Sequence, residues 1–411
     1  MTININQYIN NIIAEDDKVK RLLHLTANEN RMSDTAKMFM GSRLNERYYM
    51  GAGKNDIVDM GTFTYLGFEK VEELVNTAKE AAKEMLGAAE VNFNVLSGIH
   101  AMMSAILSTT EPGDLVLTVP LKYGGHFATE GIINRVGRKH GWLDYDLANL
   151  KFDAEKIGQK VKELGAKALY FDVSFYVNPH NITEIRAAVG DEVIIIYDAS
   201  HTMGLIMGQQ FQAPLKEGAN VICANTHKTL PGPHKGMIAF RDKELGEKAN
   251  AIIDNCLFST NHMTHIIALS ITILEMKEFG VEYAKQIIAN SNAIAEEFVK
   301  LGYKVRKSNN GKYSNNHQIH VYVDKKDNYY EVAKKLISND ISTNFENEAL
   351  ETDDSWYFRI GTQEITRRGM KENEMIEIAN LVNRAIKDEN VIADVAALNQ
   401  RFTKVLFSFD K

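Results

Sequence analysis

The chain is short of the residues that mark an oxidising compartment. Only two cysteines, Cys223 and Cys256, occur in 411 residues, and their placement fits neither a disulfide framework nor a zinc knuckle. Met1 to Ala14 lacks a basic stretch and a cleavage-like end, so it does not read as a signal peptide. No apolar run reaches the roughly 18 residues that a membrane span needs. Positive charge is not in excess either. The formal net charge is −7, which gives no reason to expect nucleic acid or an anionic membrane as partner. Internal repeats and low-complexity tracts are absent. The expectation is a cytoplasmic protein.

What is present is ordinary for a globular chain: 45% hydrophobic and 25% charged residues. A length of 411 residues suits two domains, because single cores stop growing near about 250–300 residues. Residues 1–20 are polar and Asn-rich and read as a short helix or docking arm. From Gly67 to Leu86 apolar residues recur at helical spacing, with Gly87 as the stop. Strand and helix signals then alternate: strands at Val91–Val95, Asp114–Val119, Ala168–Val173 and Val193–Tyr197, helices at Ile99–Leu107, Ala154–Leu164 and Ile182–Val189. Nearly unbroken Val/Ile runs belong to strands covered on both faces, so the alternation predicts an α/β protein with a mainly parallel sheet. Two long helices are expected at Ile266–Phe279 and Val281–Leu301. Beyond Gly302 shorter strands, Gln318–Val323 and Trp356–Ile360, predict a smaller α+β unit. The expected division is an arm (1–20), a large domain (21–280) and a small domain with the linking helix (281–411).

The most informative stretch runs from Cys223 to Gly236. Lys228 follows a buried strand and precedes a Pro/Gly-rich turn, a place where rigid backbone can hold a desolvated amine for imine formation. An exposed loop lysine is the competing reading. Other polar residues also fall at strand ends, where open α/β sheets bind ligands. Ser97-Gly98 opens a helix whose free N–H groups suit a phosphate, or is a plain cap. His126 lies in Gly-Gly-His, as a site residue or an ordinary loop histidine. Asp198 ends the Val/Ile strand, with His201 three residues on, and a carboxylate there needs a partner or serves as an N-cap. A lysine and a carboxylate at neighbouring strand tips, with a helix start upstream, are what pyridoxal 5'-phosphate requires: an amine for its aldehyde and an anion for its ring nitrogen. Arg359, at the end of a small-domain strand, suits a substrate carboxylate. No metal site is indicated.

These motifs carry a resemblance. Leu-Thr-Ala-Asn-Glu-Asn (25–30), Gly-Gly-His (124–126), Asp-Ala-Ser-His (198–201), Asn-Thr-His-Lys-Thr-Leu-x-Gly-Pro (225–233) and Arg-Ile-Gly-Thr-x-x-Ile-Thr-Arg-Arg-Gly (359–369) are similar, in order, to the signatures of serine hydroxymethyltransferase. The similarity runs from Leu25 to about Arg384. It implies the fold-type-I pyridoxal phosphate architecture, with a mainly parallel seven-stranded sheet and a smaller C-terminal domain. It also implies a homodimer with shared sites. By this resemblance Lys228 is the Schiff-base lysine, Asp198 pairs with the pyridine nitrogen and His126 stacks on the ring. His201 and Ser174 lie near the phenolic oxygen, Ser97 and Gly98 hold the phosphate, and Arg359 takes the substrate carboxylate. Tyr48 matches an active-site tyrosine that reaches the neighbouring subunit.

The departures are as informative. Gly-Ser-Arg-Leu-Asn-Glu-Arg-Tyr-Tyr-Met-Gly (41–51) puts Met50 where the family has a glutamate that moves protons and meets folate, and a thioether cannot replace it in that work. Ala52 to Leu66 replaces a tyrosine- and glycine-rich stretch and brings Asp56 and Asp59, with Tyr65 standing in for one tyrosine. Asn28 replaces a serine, and Asn28 and Tyr65 join Arg359 as expected substrate contacts. Ser259 to Thr264 replaces a glycine-rich phosphate loop, with Asn261 or His262 as compensation. Gln363-Glu364 replaces Pro-Ala.

The expectation is therefore an aldolase or transaldolase. It would make or break the Cα–Cβ bond of a β-hydroxy-α-amino acid through a glycine quinonoid, without folate, with His126, His201 or a water as base. Its partners would be a small amino acid and an aldehyde. The alternatives are a folate-dependent hydroxymethyltransferase using Glu29, Asp56 or Asp59, a different Cα chemistry on the same cofactor, and a non-catalytic homologue.

Overall fold

A computed structural model describes residues 4–49, 67–146, 149–260, 262–324, 328–347 and 356–411. The expectations placed on Met50, on Ala52 to Leu66 with Asp56, Asp59 and Tyr65, and on Asn261 lie outside the described residues.

A seven-stranded sheet forms in the spatial order Glu90–Asn92, Gly236–Phe240, Val221–Asn225, Ile194–Asp198, Ala168–Phe171, Leu115–Thr118, Lys139–Trp142. Gly236–Phe240 runs antiparallel to both neighbours, and the other pairs are parallel. The apolar runs are double-sided as expected. Ile195, Tyr197, Leu169 and Phe171 pack into one core, while Ile196, Ala168 and Tyr170 pack into another. Lys139–Trp142 carries no such signal, because an edge strand with partly exposed faces has no apolar alternation to read.

One expectation is corrected. The two helices divided at Gly280 are a single helix, Met263–Lys300, of 38 residues. A mid-helix glycine costs about 1 kcal/mol against alanine, but here it is a packing position. A Cβ built on Gly208 would fall 2.4 Å from Gly280 O, so this crossing admits no side chain on Gly208.

A second core gathers Ile294 and Phe298 of that helix with Ile319, Val321, Phe358, Ile360, Ile378 and Val382. Its sheet is antiparallel, in the order Gln318–Tyr322, Trp356–Gly361, Asn344–Asn347. Leu23 and Leu25 join this core, and Leu23–His24 pairs in parallel with Ile341–Ser342. The segment after the first helix, Ile5–Arg21, is thereby laid beside Arg359. That helix buries none of its residues, and Ile5, Tyr8, Ile9, Ile12 and Ile13 share an exposed apolar face. Among the described residues, no helix is long and apolar enough to cross a membrane.

Candidate active site

The carboxyl ends of the parallel strands surround a cavity of about 240 Å³, lined among others by Ser97, Gly98, His126, Tyr170, Asp172, Ser174, Asp198, His201, Asn225 and Lys228. Lys228 is placed by its turn. Thr226 N donates to Lys235 O at 3.1 Å, Gly232 N to Thr226 O at 2.8 Å, and Thr226 Oγ1 to Pro233 O at 2.6 Å. Thr229 Oγ1 then donates to His201 O at 2.8 Å and accepts from Gly204 N at 3.1 Å. This contact requires glycine at 204, where a Cβ would sit 2.1 Å from Thr229 O. Lys228 Nζ lies 3.0 Å from His201 Nε2. Asn225 satisfies both its neighbours when its amide oxygen accepts from Nζ at 3.3 Å and its nitrogen donates to Ser200 O at 3.2 Å. Burial strips the ammonium of water and brings the Lys228 pKa down to about 8; Arg359 adds to the fall and Asp198 opposes it.

Asp198 ends its strand. Tyr170 Oη donates to Oδ2 at 2.6 Å and Ser200 N to Oδ1 at 2.8 Å, so two hydrogen bonds hold the carboxylate in place. Beside it is Asp172, 5% exposed. Its Oδ2 accepts from His126 N at 3.1 Å and from Thr129 Oγ1, while Oδ1 is buried without a partner. Burial, with Asp198 adding repulsion, pushes the Asp172 pKa up to about 7. The carboxylate fixes the backbone of the Gly-Gly-His loop. The His126 ring is half-buried, with Nδ1 accepting from Ala128 N at 3.3 Å, and burial lowers its pKa. At the opposite end Ser97 is the N-cap of helix Gly98–Thr109, its Oγ accepting from His100 N at 3.1 Å.

Arg359 is 3% exposed and reaches Ser174 from the second core. Nη1 donates to Ser174 O at 3.1 Å and Nη2 to Asn28 Oδ1 at 2.7 Å, with Glu346 Oε1 at 3.3 Å. Nε is buried without a partner. Asn28 is carried there by Gln363, whose amide nitrogen donates to Thr26 O at 2.7 Å and Glu29 O at 2.6 Å.

The structure thus gathers Ser97, Gly98, His126, Ser174, Asp198, His201 and Lys228 at one cavity and brings Asn28 onto Arg359 beside it. Tyr48 stands apart: it is 39% exposed and shares a hydrogen bond with Ser259. His262 is exposed at the start of the long helix. Glu29 is taken up by Thr26 and His24, and the His24 contact holds its pKa below the usual carboxylate range. Sequence reasoning missed Tyr170, Asp172, Gln318 and Glu346. Tyr170 and Asp172 had a readable signal, since they precede Ser174 by four and two positions and alternation puts them on its face.

An amine whose pKa burial brings down to about 8, a fixed carboxylate and a helix start around one cavity match the chemistry of pyridoxal 5'-phosphate, whose aldehyde captures an amine and whose ring accepts electrons. The fold and site define a pyridoxal phosphate enzyme of fold type I. The family model for serine hydroxymethyltransferase matches residues 3–382, and the chain belongs to that family. It is 33% identical over 406 residues to a serine hydroxymethyltransferase of Methanosphaera stadtmanae, covering 96% of this chain and 93% of the relative. It is also 33% identical over 410 residues to a fluorothreonine transaldolase of Streptantibioticus cattleyicolor, covering 98% of this chain and 64% of the relative. The solved structure of L-threonine transaldolase from Pseudomonas fluorescens, in its internal aldimine state, superposes with a TM-score of 0.89 at 27% identity, covering 99% of this chain and 94% of that one.

Proposed function

We propose that this enzyme cleaves and forms the Cα–Cβ bond of a β-hydroxy-α-amino acid, as an aldolase or transaldolase that does not need folate. The observation that carries the proposal is the Lys228–Asp198–His126 set around one cavity, with Arg359 beside it, in a chain that has methionine at position 50. The groups that act on the amino acid are kept, and the family's folate-facing proton carrier is a thioether. The similarity to two transaldolases over nearly the whole chain supports the same reading.

In this reading the cofactor supplies the aldehyde and the electron sink. Lys228 offers the neutral amine, and Asp198, steadied by Tyr170 and Ser200, keeps a negative charge at the ring nitrogen. The helix start at Ser97–Gly98 receives the phosphate, and His126, fixed through its backbone by Asp172, covers the ring. Arg359 and Asn28 would hold the substrate carboxylate. A homodimer would complete the site: Tyr48, exposed and outside the lining of its own chain's cavity, would reach that of a second copy, and the exposed apolar face of Ile5–Arg21 is a surface such a partner could cover.

The test is to load the full chain with pyridoxal 5'-phosphate and supply L-threonine without folate. Acetaldehyde release, with exchange into an added second aldehyde, is expected. Turnover of serine alone, and only with tetrahydrofolate, would make the enzyme a hydroxymethyltransferase with a different proton path.

A further inference from the structure

Gln318 opens the strand Gln318–Tyr322 and is fully buried. Its amide nitrogen Nε2 lies 3.1 Å from Ser174 O and 3.1 Å from His201 Nδ1. A carbonyl oxygen only accepts, so the atom facing Ser174 has to be the NH2 group, and the orientation of the amide follows. Its second hydrogen then points at His201 Nδ1, which has to accept.

We infer that Gln318 is a positioning residue: it fixes the proton of His201 on Nε2, so that His201 meets Lys228 as a hydrogen-bond donor and not as a base. This rests on the reading of Lys228 as the imine-forming lysine. With Nδ1 accepting, a neutral ring carries its proton on Nε2, 3.0 Å from Lys228 Nζ. An amine accepts only through a lone pair, so this contact favours the neutral form of Lys228, whose own hydrogens serve Asn225 at 3.3 Å. Donation runs in one direction, from Gln318 to His201 to Lys228 to Asn225, and each donor meets an acceptor. The reverse assignment sets an imidazole N–H against the Gln318 NH2 group in a buried site, which leaves two donors facing each other.

The other groups facing His201 act the same way. They are Lys228, Arg359, His317, whose ring stacks at 5.6 Å, and His227. Burial, then the charge of Lys228 whenever that amine is protonated, then Arg359, hold the His201 pKa far below its usual value, so the ring does not take a second proton. The hydroxyl proton of a β-hydroxy-α-amino acid therefore goes to a group other than His201.

The experiment uses the full-length chain with 15N-labelled histidine, freed of cofactor, and reads the His201 ring nitrogens by NMR. Above about pH 8, where the Lys228 amine is neutral, Nε2 is expected to be protonated and Nδ1 bare. A proton on Nδ1, alone or with one on Nε2, overturns the inference without any variant. Separately, the visible band that grows on adding pyridoxal 5'-phosphate is followed against pH. Gln318→Leu removes the bias on His201 and should move the midpoint of that rise upward by about half to one pH unit, the worth of one hydrogen bond to the neutral amine. Gln318→Glu, which places an acceptor at Nδ1, should move it further. If Lys228→Ala abolishes the band but the midpoint is unmoved in both Gln318 variants, the role of Gln318 falls alone. A band that survives Lys228→Ala overturns the reading of Lys228, and this inference with it.

Discussion

Glu346 Oε1 lies 3.3 Å from Arg359 Nη2, so a carboxylate already rests on the guanidinium proposed to take the substrate carboxylate. The two differ in setting, because the Arg359 side chain is 4% exposed and that of Glu346 31%. A partly exposed carboxylate is a weak competitor, worth about 0.2–1 kcal/mol. Glu346→Gln is expected to lower KM for the amino acid by up to about fivefold at nearly unchanged kcat. Arg359→Lys, which gives up the planar fork, should raise KM by about ten- to a hundredfold. Steady-state kinetics of both variants check this, and a raised KM in Glu346→Gln would assign Glu346 to substrate binding instead.

Lys228 gives a pH signature. Its amine loses its proton near pH 8, where an exposed lysine would do so near 10.5. The rate at which the cofactor-free chain captures pyridoxal 5'-phosphate should rise with pH, reach half its plateau near pH 8 and then level off. Stopped-flow absorbance measures this. A climb continuing toward pH 10.5 would mean that the amine is solvated.

Asp172 gives a stability signature of the opposite kind. Its pKa is raised from 3.8 to about 7 in the fold, chiefly by burial, so the folded chain holds a proton that the unfolded chain releases between those values. Stability owed to this group is therefore full below about pH 4 and falls as pH rises to about 7. Asp172→Asn keeps an acceptor for His126 and Thr129 but cannot ionise. Its stability relative to the parent should grow across that window, by about 2–4 kcal/mol in the limit of full burial. Thermal midpoints of both proteins between pH 4 and 8 decide it, and a constant difference counts against the buried proton.

A buried ion pair ties the C-terminal segment to the long helix. Arg367 Nη2 lies 2.6 Å from Glu275 Oε2, both side chains fully buried, and Glu275 Oε1 also accepts from Phe409 N at 3.2 Å. Glu275→Leu strands a buried cation and should cost about 3–5 kcal/mol in denaturant unfolding. Glu275→Leu with Arg367→Met should recover most of that loss, because no charge is then left unpaired.

Much of the fold was legible because its causes are local. The helices Ala154–Leu164 and Ile182–Val189 fall where the sequence pattern puts them. The Val/Ile runs became double-sided strands for the same reason. Where a local cue yielded to packing, as at Gly280, the reading failed: the sequence shows a glycine, and only the structure shows the helix running on through it beside Gly208.

The site divides along the same line. By itself the sequence singled out the residues that meet at the cavity, since Lys228, Asp198 and His126, with Arg359 beside them, stand in ordered motifs at the ends of readable strands. Tertiary structure alone decided what state those groups are in. Glu346 reaches Arg359 across a sheet register, and Gln318 reaches His201 across 117 positions of sequence. Periodicity and turn chemistry act over a few residues, whereas the protonation of a buried group depends on every donor, acceptor and charge that folding brings within hydrogen-bond reach.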